Sequence, residues 1–216
     1  MKNFAVILAG NGVFDGAEIH EATLTLLAIK QQGAEYDIFA PNIPQHHVIN
    51  HITGEEMPEQ RNVLVESARI ARGEIGDLRD FNPDNYDAII FPGGFGAAKN
   101  LSTVAFDGAN AKVNHEVEKA VKGMLERGKP IGALCISPAM IAKIIGDVKV
   151  TIGQDQGTIA AINAMGGTHV KTSHGEVVID EKHKVFSTPC YMLDADITQI
   201  ADGTNNVVKE IMNVLG

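Results

Sequence analysis

The stretch that decides the fold is Lys129-Pro-Ile-Gly-Ala-Leu-Cys-Ile-Ser-Pro-Ala-Met140. Up to Leu134 it is apolar without alternation, a pattern typical of a strand buried on both faces of a parallel sheet. Ser137 is a favoured N-cap type and Pro138 suits the first helical position, so a helix is predicted directly after the strand. Cys135 therefore lies on a tight strand-to-helix turn, the geometry of a nucleophile elbow.

The turn gives Cys135 a chemical environment of its own. A helix N-terminus offers free N–H groups and a partial positive charge, and both favour thiolate over thiol. We therefore expect a nucleophilic cysteine, although the same sequence also allows Cys135 to be a small buried apolar residue. Cys190 in Thr-Pro-Cys-Tyr lacks this context, so a structural role is predicted for it.

Buried strands alternate with helices along the rest of the chain. This alternation predicts an α/β fold, a doubly wound and mostly parallel sheet with helices on both faces. We expect a single domain over residues 1–216 with an insertion around residues 42–81. Strands are predicted at 4–8, 36–40, 88–91, 130–134 and 148–152, with a hairpin at 176–180 and 184–188. Helices are predicted at 17–32, 59–72, 112–127, 138–145, 158–165 and 194–215, the last interrupted near Gly203.

The first predicted helix carries three polar side chains near its start: Glu18, His20 and Glu21. They share the carboxyl edge of the sheet with Cys135. Asp15 and Glu18 have the spacing of a capping box, which leaves Glu21 as the freer carboxylate. Burial of Glu21 beside a cysteine can raise its pKa and let it move a proton, and His20 is an alternative base. The open alternatives are a solvated carboxylate and an exposed histidine.

A glycine loop, Pro92-Gly93-Gly94-Phe95-Gly96, follows the third predicted strand. Paired glycines let backbone N–H groups approach a ligand closely. Two such donors can hold an oxyanion, and the alternative is a plain turn.

Two other motifs favour no cofactor and no metal. Gly10-x-Gly12-x-x-x-Gly16 resembles a dinucleotide fingerprint, but the second strand ends without the acidic residue that would bind a ribose. We therefore expect neither nicotinamide nor flavin. His46, His47 and His51 lack a strong metal-ligand pattern, so they are predicted to be loop residues.

Composition restricts the partners and the predicted location. The formal net charge is −9, which argues against nucleic acid and anionic membranes as partners, since both require a basic face. Two cysteines cannot form a disulfide framework. No signal peptide is recognisable, and no stretch reaches the roughly 20 apolar residues of a membrane helix. A cytoplasmic protein without membrane contact is predicted.

Six segments together resemble a known family. They are VFDGAEIHEATLTLLAI from Val13, VINHITGE from Val48, RNVLVESARIARGEI from Arg61, FPGGFGAAKNL from Phe91, GALCISPAM from Gly132 and STPCYML from Ser187. They cover nearly the whole chain. The sequence resembles the enhancing-lycopene-biosynthesis (ElbB) family, described as isoprenoid biosynthesis proteins with an amidotransferase-like domain. That family belongs to the PfpI-like branch of the class I glutamine amidotransferase-like superfamily.

The resemblance implies a flavodoxin-like fold and roles for several residues. A glutamate on the first helix would hydrogen-bond the elbow cysteine, and helix counting assigns this role to Glu21 rather than Glu18. Gly93, Gly94 and Ile136 would form the oxyanion and substrate-binding site, with N–H groups of Gly94 and Ile136 as donors. Family members are described as glutathione-independent glyoxalases, commonly dimeric, which implies a homodimer that needs no cofactor or metal.

Two departures from the superfamily pattern limit the predicted chemistry. Ser137 stands where amidotransferases have glycine, and residues 148–155 contain no histidine where the superfamily places one. Glutamine hydrolysis and peptidase activity would lack their usual base. We expect an enzyme that converts glyoxal or methylglyoxal into a hydroxy acid through a Cys135 hemithioacetal.

Two alternatives come from other functional classes. One is a metabolite-binding or redox-sensing protein linked to isoprenoid metabolism, in which Cys135 is oxidised to a sulfinate. The other is an amidotransferase subunit whose partner supplies a histidine.

Overall fold

The computed structural model describes residues 1–216, and its centre is a seven-stranded sheet. Six strands are parallel and the edge strand next to residues 185–188 is antiparallel. In spatial order the strands are β10 (Val178–Asp180), β11 (Val185–Thr188), β7 (Ile131–Leu134), β6 (Ala88–Phe91), β1 (Asn3–Ile7), β2 (Glu35–Ala40) and β5 (Gly76–Asp77). Two small sheets lie outside it, β3 (Val48–Ile49) with β4 (Glu56–Met57) and β8 (Lys149–Val150) with β9 (Thr168–His169).

Helices flank the sheet, which confirms the predicted α/β class and its flavodoxin-like form. The first and last helices pack against each other, and the fifth packs against the sixth. The helices are α1 (Ile19–Gln31), α2 (Val63–Ile70), α3 (Phe95–Lys99), α4 (Val104–Asp107), α5 (His115–Glu126), α6 (Ser137–Ile145), α7 (Gln156–Ala164) and α8 (Ile197–Leu215).

The apolar runs of the sequence form the middle of the sheet. Every residue of β6 and β7 is buried, and so are the last four residues of β1. They belong to a hydrophobic core of 48 buried residues. Because β1, β6 and β7 are neighbouring parallel strands, the loops that leave their carboxyl ends lie side by side. This arrangement brings together the starts of α1, α3 and α6.

Two predicted elements differ from the structure. The strand predicted at 148–152 shrinks to β8 and pairs with β9 outside the main sheet. The predicted interruption near Gly203 is wrong, because α8 runs unbroken from Ile197 to Leu215. Gly203 is buried in that helix, and a Cβ there would lie 3.4 Å from Thr188 Oγ1 and 3.5 Å from Cys190 Sγ. Helix α8 therefore packs at Gly203 against the residues at the end of β11 and in the turn that follows it.

The predicted capping box is also wrong. The N-cap of α1 is Glu18 itself, whose side chain accepts a hydrogen bond from the Glu21 N–H at 2.7 Å. The Asp15 carboxylate instead accepts the Ile49 N–H at 2.7 Å. Asp15 therefore ties the loop after β1 to residues 42–81, the segment predicted to be an insertion.

The residue predicted to cap α6 has another role. The N-cap position belongs to Ile136, and Ser137 is the first helical residue. Ser137 is fully buried, and its hydroxyl donates to the Pro92 carbonyl oxygen at 2.9 Å. A hydroxyl in a buried position needs such a partner, and here the bond joins the cysteine turn to the glycine loop.

None of the eight helices combines the length and the apolar character that crossing a membrane requires.

We predict that the stability of the fold depends on the core face of α8. Ile211→Ala should lower the free energy of unfolding by about 2–5 kcal/mol, because Ile211 is fully buried and its truncation leaves a cavity. Val214→Ala on the exposed side should change it by less than about 0.5 kcal/mol. Urea unfolding of both variants measures the difference, and equal losses would contradict this packing.

Candidate active site

Cys135 occupies a strained position on the turn between β7 and α6. Its φ angle is +59°, a region that non-glycine residues seldom adopt. The backbone N–H of Cys135 donates to the Thr188 carbonyl oxygen at 3.0 Å, which extends the β7–β11 pairing into the turn. The residue is 7% exposed. A strained cysteine at the carboxyl edge of the sheet has the geometry of a nucleophile elbow.

Glu21 lies beside this cysteine, as the helix counting predicts. Its side chain is fully buried, with Oε2 accepting the Gly93 N–H at 2.8 Å and Oε1 accepting the Tyr191 N–H at 3.3 Å. The Cys135 thiol also interacts with the carboxylate. Four segments of the chain therefore meet at one buried carboxyl group. Glu18 is held at the helix cap instead, so Glu21 faces the sulfur.

The two loop glycines are required by close approach. A Cβ at Gly93 would lie 2.3 Å from the Cβ of Cys135 and 2.7 Å from Glu21 Oε2, distances that real atoms do not tolerate. Gly94 has φ +93°, and a Cβ there would lie 2.3 Å from the Glu18 nitrogen. The loop therefore lies directly against the cysteine and the glutamate. Any side chain at Gly93 or Gly94 would prevent this close contact.

Burial sets the protonation of the pair. Desolvation, together with the Glu18 charge, raises the pKa of Glu21 from 4.5 to about 7. Desolvation and the Glu21 charge raise the pKa of Cys135 well above its ordinary value. The sequence-based prediction that Cys135 is a thiolate is therefore wrong. Burial and the Glu21 carboxylate raise the pKa of the thiol by more than the two backbone donors lower it. The pair loses its first proton near neutral pH, with Glu21 as the group that ionises.

The predicted oxyanion donors lie at the sulfur. The backbone N–H groups of Gly94 and Ile136 both approach Cys135, and each lowers the pKa of its thiol. The Gly93 N–H donates to Glu21 and is not free for a ligand. Two donors therefore face the sulfur, and an oxygen formed next to it would meet both.

His20 contacts this site through another residue. It is exposed, and its Nδ1 is hydrogen-bonded to the Tyr191 hydroxyl at 2.8 Å. Tyr191 in turn binds Glu21 through its backbone N–H. The structure thus places His20 at the edge of the site, next to a tyrosine that sequence reasoning did not select.

The turn after β11 is the part of the site that the sequence analysis missed. Cys190 has φ +43° and is 4% exposed, and the conformation of the turn presents the Tyr191 N–H to Glu21. The usable signal was the STPCYML segment, because Thr188 ends a strand that neighbours the cysteine strand. Parallel neighbours end at the same edge, so residues after Thr188 had to lie near Cys135.

The histidine segment and the first glycine loop pack against each other. The Lys99 ammonium donates to His47 Nε2 at 3.1 Å, and the Phe14 N–H donates to His51 Nε2 at 3.2 Å. A Cβ at Gly12 would lie 2.6 Å from that same His51 atom. The His51 ring therefore lies directly against the loop at Gly12. The structure contains no cluster of three or more potential metal ligands.

Comparison with known proteins assigns the family. The model of the DJ-1/PfpI family matches residues 11–185. The chain is also 38% identical to the crystal structure of an isoprenoid biosynthesis protein with amidotransferase-like domain from Ehrlichia chaffeensis, with complete coverage of both chains and a TM-score of 0.94. The protein belongs to the DJ-1/PfpI family and has the class I glutamine amidotransferase-like fold. Glyoxalase III from Candida albicans, at 13% identity and a TM-score of 0.64, shares the fold alone.

Other relatives are named as mitochondrial proteins, and they correct the prediction of a cytoplasmic location. The chain is 47% identical to human glutamine amidotransferase-like class 1 domain-containing protein 3, mitochondrial, over 98% of this chain and 83% of that protein. It is 35% identical to the mitochondrial ES1 protein of Danio rerio, over 98% of this chain and 86% of that protein. These mitochondrial relatives overturn the cytoplasmic prediction, which rested on the lack of a recognisable signal peptide and of a membrane-spanning stretch. Membership of the ElbB family stays a prediction.

We predict that Glu21 makes stability depend on pH. The pKa of Glu21 is raised from 4.5 to about 7 in the folded protein, so its contribution is fully present below pH 4.5 and is lost as pH rises through 7. The loss should amount to about 3 kcal/mol, since one pKa unit corresponds to about 1.4 kcal/mol. Glu21→Gln should remove this dependence.

Urea unfolding of wild type and variants between pH 4.5 and 8 measures how the free energy of unfolding depends on pH. Glu35→Gln, an exposed carboxylate paired with Lys30, is the matched control and should keep the wild-type slope. Parallel stability profiles of Glu21→Gln and wild type would contradict the buried, protonated carboxyl.

Proposed function

We propose that the protein is a glutathione-independent, glyoxalase-type enzyme that converts glyoxal or methylglyoxal into a hydroxy acid. The observation that carries the proposal is the buried Cys135–Glu21 pair with the Gly94 and Ile136 N–H groups at the sulfur. It combines a nucleophile, a base whose pKa is about 7 and two oxyanion donors. No metal or organic cofactor is required by the chemistry below.

Glu21 can activate the cysteine at the moment of attack. The carboxylate accepts the thiol proton while sulfur bonds to the aldehyde carbon, and the proton then passes to the aldehyde oxygen. The product is a neutral hemithioacetal on Cys135, and Glu21 is again ionised. The N–H groups of Gly94 and Ile136 stabilise the oxygen while it carries negative charge. A permanent thiolate is therefore unnecessary.

The same carboxylate can complete the rearrangement. Glu21 removes the proton from the carbon bonded to sulfur, which forms an enediolate, and returns it to the adjacent carbon, while the hydroxyl proton of the sulfur-bearing carbon moves to the enediolate oxygen. The intermediate is then a thioester of a 2-hydroxy acid. Water cleaves the carbon–sulfur bond, which releases glycolate or lactate and restores the Cys135 thiol. The overall reaction adds one water to the dicarbonyl and transfers no electrons to the protein.

The enclosure of the site favours a small substrate. Cys135 is 7% exposed and Glu21 is fully buried, so only a narrow molecule reaches both. Two larger clefts lie away from this pair, one of about 800 Å³ beside α1 and β2 and one of about 630 Å³ beside α5. A dicarbonyl of two or three carbons fits this restriction.

We predict that both members of the pair are needed for turnover. Cys135→Ala should abolish hydroxy-acid production, because no covalent intermediate can form. Glu21→Gln should lower kcat about 100-fold or more, the usual size of a general-base contribution. His20→Ala should cause a smaller loss, because His20 acts through Tyr191. The measurement is glycolate or lactate formed from glyoxal or methylglyoxal by purified protein.

Lys209→Ala, an exposed position on α8, is the control and should keep wild-type turnover. Folding of each variant is checked by circular dichroism. Full activity of Cys135→Ala would overturn the enzymatic proposal, and so would wild-type protein that forms no hydroxy acid.

A second candidate function is oxidant sensing at Cys135. The observation that favours it is the lack of histidine in residues 148–155, the region where the superfamily places the base that would support hydrolysis of the thioester. Selective oxidation of Cys135 by dilute peroxide, without dicarbonyl turnover, would favour the sensor.

A further inference from the structure

The only two cysteines of the chain lie at adjoining strand ends. Leu134 and Thr188 are registered partners on β7 and β11, and Cys135 and Cys190 follow them by one and two residues. The strand pairing continues past this register, because the Cys135 N–H donates to the Thr188 carbonyl oxygen at 3.0 Å. Neighbouring strands are about 4.8 Å apart, and a disulfide requires α-carbons within about 7 Å.

Both cysteines have a left-handed backbone conformation and a buried side chain near Glu21. Cys135 has φ +59° and Cys190 has φ +43°, and both are more than nine-tenths buried. Glu21 connects them, because its carboxylate interacts with the Cys135 thiol and accepts the N–H of Tyr191, the residue after Cys190. Burial and the Glu21 charge raise the pKa of Cys190, as they do that of Cys135. The mechanism proposed above does not use Cys190.

We propose that Cys190 is the resolving thiol of Cys135, so that oxidation by peroxide ends in a Cys135–Cys190 disulfide. The proposal rests on the reactive Cys135 of the proposed function and extends it to a second residue. It assigns Cys190 a chemical role in place of the structural one predicted from sequence.

The chemistry balances with hydrogen peroxide as the oxidant. The Cys135 sulfur attacks one peroxide oxygen, the O–O bond breaks, and sulfenic acid and one water form. Cys190 then loses its proton to Glu21 and attacks the sulfenic sulfur, and hydroxide leaves and takes up that proton as the second water. The disulfide blocks the nucleophile until a dithiol reduces it.

Mass spectrometry of intact protein tests the proposal after dilute hydrogen peroxide. Wild type should lose about 2 Da, the change expected for a disulfide, and non-reducing peptide mapping should join the peptides of Cys135 and Cys190. Cys190→Ser should instead gain about 32 Da as Cys135 sulfinate. Sulfinate should form several-fold faster in this variant than in wild type. A dithiol should restore wild type and leave the oxidised variant unchanged.

Other outcomes would overturn the proposal. Wild type that gains the sulfinate mass as fast as Cys190→Ser, or that forms only disulfides between chains on a non-reducing gel, contradicts it. Hydroxy-acid production by the reduced proteins is measured in the same samples. Turnover without a disulfide refutes only the role of Cys190, and a disulfide without turnover refutes only the glyoxalase function. Equal circular dichroism of wild type and Cys190→Ser excludes a folding defect.

Discussion

The site depends on the burial of one carboxyl group. Glu21 is surrounded by protein, and two backbone N–H groups, from Gly93 and Tyr191, hold its oxygens. Burial of a polar group without such hydrogen-bond partners costs roughly 2–7 kcal/mol. With them, the carboxyl remains in place at a raised pKa and faces Cys135. The glycine loop, the cysteine turn and the turn after β11 all meet at this group, so their conformations follow from it.

Much of this arrangement can be predicted from the sequence. Continuous apolar runs identify β1, β6 and β7 as buried parallel strands, and parallel neighbours end at one edge. The turn at Cys135 and the glycines at 93 and 94 then fall together. Counting along α1 also selects Glu21 over Glu18. The strand and glycine inferences need only periodicity, strand direction and the properties of glycine, which act over a few residues, whereas the choice of Glu21 also uses the glutamate role that the family resemblance implies.

What could not be predicted depends on packing between distant segments. Asp15 has the spacing of a helix cap, yet it binds Ile49, because the segment containing residue 49 folds over the first loop. The pKa of Cys135 rises although a helix start lies next to it, because burial and Glu21 contribute more than two backbone donors. Tyr191 reaches Glu21 from 170 residues away. No local pattern carries the first two effects, and for Tyr191 the one signal is that its segment follows the strand that ends at Thr188.

The most direct test of the account is the protonation of Glu21. Infrared difference spectra of wild type and Glu21→Gln, recorded against pH, isolate the carbonyl band of a protonated carboxylic acid. In wild type this band should disappear with a midpoint near pH 7, because the pKa of Glu21 is about 7, and it should be missing from the variant. A Glu21 that is already ionised at pH 5 would contradict it, since such a group would not be buried against Cys135 as described.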